Sequence, residues 1–223
     1  MSHHESQGKG PDGRMVDRML FFSDAVFAIV LTIMVLELHG PVLEHNSGGD
    51  ANAAIWENLA YNGRVLFAYV VSFALVGLWW SVHMRVTRHL HQFDWPSAIW
   101  NFVFLLTVTV IPFAASILDQ GIMATAAWEI YWGVNAAASF ALTALMFTVS
   151  RDGGRLIGGM EGRERWGRLL QSFGPGLGFA IGAWLAALGY LDLSRFCWIV
   201  IMPVSLLARL IAGKRTPAET SAG

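Results

Sequence analysis

Apolar residues come in long runs along this chain, separated by short polar or charged stretches. A helix needs about 20 mostly apolar residues to cross roughly 30 Å of hydrocarbon. Six runs reach that length: Arg18–Leu38, Leu59–Val82, Ser97–Leu118, Ala124–Val149, Leu169–Leu191 and Phe196–Ala212. Each is expected to be a transmembrane helix, because a helix closes its own backbone hydrogen bonds where lipid offers none. In the fifth run Gly174, Pro175, Gly176, Gly178 and Gly182 crowd the first half. Pro175 is expected to kink that helix, and the small residues to permit close helix contact. The expected fold is all-α, a polytopic membrane domain over residues 14–213, flanked by disordered polar tails at 1–13 and 214–223, with no cleavable leader visible.

The first run, RMLFFSDAVFAIVLTIMVLEL, departs from a plain apolar pattern. A carboxylate inside a membrane helix is expensive and normally has a partner or a task. At about 100° per residue, Val26, Ile29, Ile33 and Leu36 form one aliphatic stripe with Thr32 at its edge, while Ser23 and Asp24 turn away from it. The up-and-down order of the spans brings Trp80, His83 and Asn101 to a similar depth. Indole, imidazole and amide groups all donate hydrogen bonds. A buried network of Asp24, Ser23, His83, Trp80 and Asn101 is therefore expected to lock three helices together. An ion or proton relay through Asp24 and His83 is the competing reading. An aliphatic stripe at helical spacing is by itself more often a lipid-facing or packing surface than a pore lining.

Composition supports the membrane reading. Of 223 residues, 55% are hydrophobic and 14% charged, where a soluble domain carries about 25% charged residues. Ten tryptophans fit a preference for headgroup regions. The single cysteine, Cys197, excludes an intrachain disulfide and a thiolate metal cluster. Charge fixes the expected orientation. Lys9, Arg14, Arg18, Arg85, Arg88, Arg151, Arg155, Arg163, Arg165, Arg168, Arg209, Lys214 and Arg215 fall on one side, and only Arg64 and Arg195 on the other, so both termini are expected to be cytoplasmic. The opposite loops carry Glu44, Asp50, Glu57, Asp119 and Glu129, an acidic face that would concentrate cations. Of His83, His89 and His91, the neighbours His89 and His91 do not share a helix face as metal ligands would, and no Ser–His pair or aspartate pair suggests an enzyme. Lipid headgroups are the expected neighbours of those histidines. No nucleic-acid partner is expected.

Arg18, Phe22, Ser23 and Asp24 form an RxxxFSD start to the first helix that resembles the transmembrane protein 175 family of potassium channels, in its short prokaryotic form. Trp80, His83 and Arg85 match the family's W-x-x-H-x-R pattern; Asn101, Pro112 and Phe113 match its third helix. Met84 departs from it where a second histidine often stands. The last three spans match in hydropathy alone. The resemblance implies a homotetramer of six-helix subunits in a prokaryotic plasma membrane, with four first helices around a central potassium path. It implies a hydrophobic constriction at Ile29, Ile33 and Leu36, and a hydroxyl at Thr32 associated with potassium selectivity. It also implies a scaffold of Arg18, Phe22, Ser23, Asp24, Trp80, His83 and Asn101. No cofactor is implied, and no metal beyond permeant K+.

The chain contains no TVGYG-type loop to replace an ion's hydration shell with carbonyls. The aliphatic rings are therefore expected to gate by dewetting, and four Thr32 hydroxyls to give weak selectivity for potassium over sodium. A proton channel, or a proton- or cation-coupled secondary transporter using Asp24 and His83, is the alternative. A transporter would often show an internal repeat, and none is evident between the halves of this chain.

Overall fold

Long apolar segments separated by short charged loops favour antiparallel neighbouring helices, and the computed structural model of the chain has that arrangement. It describes residues 11–37, 52, 56 and 63–197. In order, the elements are α1 (Pro11–Ile33), continued by a 3-10 turn (Met34–Glu37), α2 (Gly63–Thr87), α3 (Trp95–Gln120), α4 (Thr125–Val149), a 3-10 turn (Arg155–Ile157), α5 (Gly162–Ala187) and the short α6 (Leu191–Arg195). No strand occurs among the described residues. Helices α1 to α5 are long and apolar enough to cross a membrane. The chain is an all-α, multi-pass membrane protein.

The expected spans correspond to these five helices, with displaced ends. α1 starts at Pro11 and α5 at Gly162, both before their apolar runs. Hydropathy marks the part of a helix within hydrocarbon, whereas Arg and Glu are good helix formers that carry the helix onward into the interface. Beyond Cys197, the sixth expected span (Phe196–Ala212) lies outside the described residues, as do the polar tail through Gly10, the C-terminal tail and the loop acids Glu44, Asp50 and Glu57.

α4 is the hub, packing most extensively against α5 and α3, while α1 touches α2 and α3. Small residues make the α4–α5 contact close. A Cβ at Gly176 would lie 2.9 Å from both Cβ and Oγ of Ser139 and from the Phe140 ring. Ser139 Oγ donates to the Ser172 carbonyl at 2.7 Å, in the turn before Pro175. Pro175 does not end the helix, which is continuous through it. Higher in the bundle Trp132 stacks on Phe179 at 5.5 Å, and Trp79 packs against the same ring. The outward sides of the helices carry exposed Leu106, Phe113 and Trp184, as expected where lipid replaces water.

The turn into α3 is fixed by polar contacts at the bundle's basic end. Asp94 caps the helix by accepting from the Ser97 amide at 3.0 Å and pairs with Arg151 just beyond α4. Burial alone would raise the Asp94 carboxyl. The bonds from Ser97 and the Arg151 guanidinium outweigh that effect and hold it below the usual carboxylate range.

Candidate pore helix and its polar support

α1 has two faces, and spacing at 4, 3 and 4 explains the inner one. Ser23, Phe27, Val30 and Met34 are all buried against the bundle. Phe27 meets Phe104 at 6.0 Å between ring centroids. On the outer side Ile29, Ile33 and Leu36 are 56%, 43% and 72% exposed in the single chain. Val26, at the margin of the same stripe, is instead half-buried against the core. Thr32 is exposed, and its Oγ1 lies 3.0 Å from the Ala28 carbonyl and 2.9 Å from that of Ile29. With its proton directed back into the helix, the hydroxyl oxygen presents lone pairs outward.

Behind the inner face three residues form a continuous hydrogen-bonded chain across α1, α2 and α3. Asn101 Nδ2 donates to Ser23 Oγ at 3.1 Å, and Ser23 Oγ donates to the Met19 carbonyl at 2.9 Å. Asn101 Oδ1 is thereby the acceptor for His83 Nε2 at 2.7 Å, which puts the imidazole proton on Nε2. All three side chains are at most 1% exposed. His83 stacks on Phe104, with centroids 5.4 Å apart and planes 8° apart. Its Nδ1 is buried without a hydrogen-bond partner.

Asp24 belongs to a separate contact. Trp80 Nε1 donates to Asp24 Oδ1 at 2.9 Å, and Trp80 is 41% exposed. The five residues expected to form one buried network thus divide into a buried trio and a peripheral pair. A long indole on α2 can reach the flank of α1, whereas the shorter Asn101 and His83 side chains close the core. Arg18 is exposed and joins neither group. Phe22 packs against Phe102 at 5.6 Å, so it attaches α1 to α3 through ring contact.

Two buried polar contacts escaped the sequence reading. Trp79 Nε1 donates to Asn135 Oδ1 at 3.1 Å, and Ser72 Oγ lies 3.1 Å from the Tyr131 hydroxyl. Asn135, an amide in mid-span, was detectable by the rule that singled out Asp24: a polar side chain inside hydrocarbon needs a partner. The Asp94–Arg151 pair joins two loops and has no signature in local spacing.

Fold and site together define a class: a multi-pass helical membrane protein whose first helix is pinned by polar contacts on one side and presents unpartnered aliphatic side chains on the other. The family model described as endosomal/lysosomal potassium channel TMEM175 matches residues 18–112, covering α1 from Arg18, α2 and most of α3. Over that stretch the chain is similar to the TMEM175 family.

A potassium channel of Streptomyces collinus is 28% identical over 140 residues, covering 61% of this chain and 65% of that protein. A potassium channel of Chamaesiphon minutus is 27% identical over 177 residues, covering 76% and 83%. The human endosomal/lysosomal proton channel TMEM175 is 28% identical over 101 residues, 45% of this chain and 19% of that protein. The chain thus spans just under two thirds of the Streptomyces relative and about a fifth of the human one. The fold matches the crystal structure of a lysosomal potassium-selective channel TMEM175 homologue from Chamaesiphon minutus, with a TM-score of 0.68 at 24% identity, over 88% of this chain and 99% of that one.

Proposed function

We propose that the chain is a potassium-permeable cation channel in which four copies of α1 surround the ion path. The observation that carries this reading is the outward aliphatic stripe, Ile29, Ile33 and Leu36, on a helix whose opposite face is fixed by Ser23, Asn101 and His83. A helix held so firmly on one side presents its other side at a defined angle. Relatives named as potassium channels support the permeant ion.

Helix carbonyls are occupied by backbone hydrogen bonds, so dehydration by carbonyls is not open to α1. Rings of isoleucine and leucine exclude water when narrow and pass a hydrated or partly hydrated ion when widened. The outward lone pairs of Thr32 supply weak coordination beside the Ile29 and Ile33 rings. Termini on the cytoplasmic side of a prokaryotic plasma membrane accord with the basic loops.

Purified protein in planar bilayers under asymmetric potassium and sodium is the direct test. The reversal potential is expected to move toward the potassium equilibrium potential, with ohmic unitary currents. A saturable, counter-ion-coupled flux without unitary currents would refute the channel reading. A second reading, proton permeation, is favoured by the unpartnered Nδ1 of His83 and by the name of the human relative. It requires a pH gradient to set the reversal potential.

A further inference from the structure

Residues of α2 and α5 flank the end of α4 at the bundle's basic end, and a cleft of about 170 Å³ lies between them. Arg85 from α2, Arg88 just beyond its end, and Arg168 and Gln171 from α5 surround it, with Val82 and Met146 also in the lining. The three guanidinium groups are only partly engaged. Arg85 Nε donates to the Ser81 carbonyl at 3.2 Å and Arg88 Nε to His89 Nε2 at 2.9 Å. Arg168 Nη2 donates to Glu164 Oε1 at 2.6 Å. Neither Arg85 nor Arg88 has a carboxylate partner among the described residues. Three positive groups therefore share a polar cleft with one carboxylate at its side.

Insertion rules alone put arginine at this end of the helices, but they do not require arginines from two helices to line the same cleft with an amide and apolar side chains. The depth points to a lipid. Trp166 on α5 and Trp95 at the start of α3, both at this end, are 66% and 77% exposed, and exposed tryptophan favours the headgroup layer. Arg168 lies half a turn along α5 from Trp166. Guanidinium forks match phosphate oxygens in charge and geometry, and the apolar part of the lining suits the glycerol and first methylenes of a lipid. We propose that Arg85, Arg88 and Arg168 bind the phosphate of an anionic phospholipid from the adjacent leaflet. Through α2, which also carries Trp80 and His83, the bound lipid would steady the helix that supports α1. The site does not depend on the channel reading.

The test is thermal unfolding of the full chain in detergent, with added phosphatidylglycerol, phosphatidylcholine or inorganic phosphate. Phosphatidylglycerol in excess is expected to raise Tm by about 5 °C, with phosphatidylcholine and inorganic phosphate giving little. The double variant Arg85→Gln/Arg88→Gln is expected to lose most of that rise, and Arg155→Gln, which removes a basic residue at the same end, to keep it. An undiminished rise in the double variant, an equal loss in Arg155→Gln, or full replacement by inorganic phosphate would overturn the assignment. Should the double variant not fold, Gln171→Trp fills the cleft and keeps every arginine. Loss of the phosphatidylglycerol response there supports the site, and an intact response refutes it.

Discussion

Asn101 uses one amide for two helices. Its nitrogen holds Ser23 of α1 and its oxygen accepts from His83 of α2. Asn101→Leu would strand the His83 Nε2 proton in a place that water does not reach and leave Ser23 only its bond to the Met19 carbonyl, at a cost of about 1–3 kcal/mol for an unsatisfied polar group. A lowered Tm in detergent is the expected readout. Asp24→Asn is expected to lower it less, because an amide oxygen still accepts from Trp80 at the partly exposed edge of the bundle. On the opposite face, Ile29→Asn places an amide where dewetting is proposed to close the path. Water then enters the closed ring, so leak current rises and potassium preference falls; an unchanged liposome flux would mean that the constriction lies elsewhere. The polar residues among these were legible in the sequence because polar groups within hydrocarbon are few, and the alternation of helix direction limits which of them share a depth. What spacing could not supply was reach. It gave no means of separating the Trp80–Asp24 pair from the trio, or of seeing that Arg18 stays outside both.

Helix ends depend on forces that hydropathy does not register. The apolar run of the third span begins near Ser97, yet α3 starts at Trp95 because Asp94 caps it and is itself held by Arg151. The lowered carboxyl pKa has a definite sign. Its stabilising contribution is complete above the ordinary value of 3.8 and is lost as pH falls through the lower folded-state value. Asp94→Ala is expected to cost about 1 kcal/mol at neutral pH, as loss of an N-cap does, and so to lower Tm by about 2–4 °C. The gap between variant and wild type should then close as pH is taken below 3.8, since the wild-type carboxylate becomes protonated too. A gap that stays constant into acid would mean that the charge on Asp94 contributes nothing. The five described spans were readable as elements because about 20 apolar residues leave the backbone no alternative to a helix in lipid. Their ends, set by caps and interfacial charges, were not.

At the scale of the molecule, the bundle is asymmetric. The α4 span is 61% buried within the chain, and the α1 span only 22%. The helix that carries the most specific motif is therefore the least enclosed of the five described spans. For a helix serving only to anchor, an exposed aliphatic face needs nothing but lipid, and the hydrogen-bonded trio behind it would be superfluous. A helix that must present Ile29, Ile33 and Leu36 to identical copies needs its rotation fixed, and Ser23, Asn101 and His83 fix it. Sequence periodicity distinguished the two faces but not their environments, because lipid and a symmetry-related isoleucine are equally apolar. The proposed four-fold assembly would remove that ambiguity: rotational symmetry would bring the same stripe from every copy to one axis. Native mass measurement in mild detergent is expected to give four times the 24.5 kDa chain, and Asn101→Leu, by loosening the rotation of α1, to shift the distribution toward smaller species. Monomers alone in the wild-type protein, at concentrations where flux is measured, would leave the stripe facing lipid and the ion path without walls.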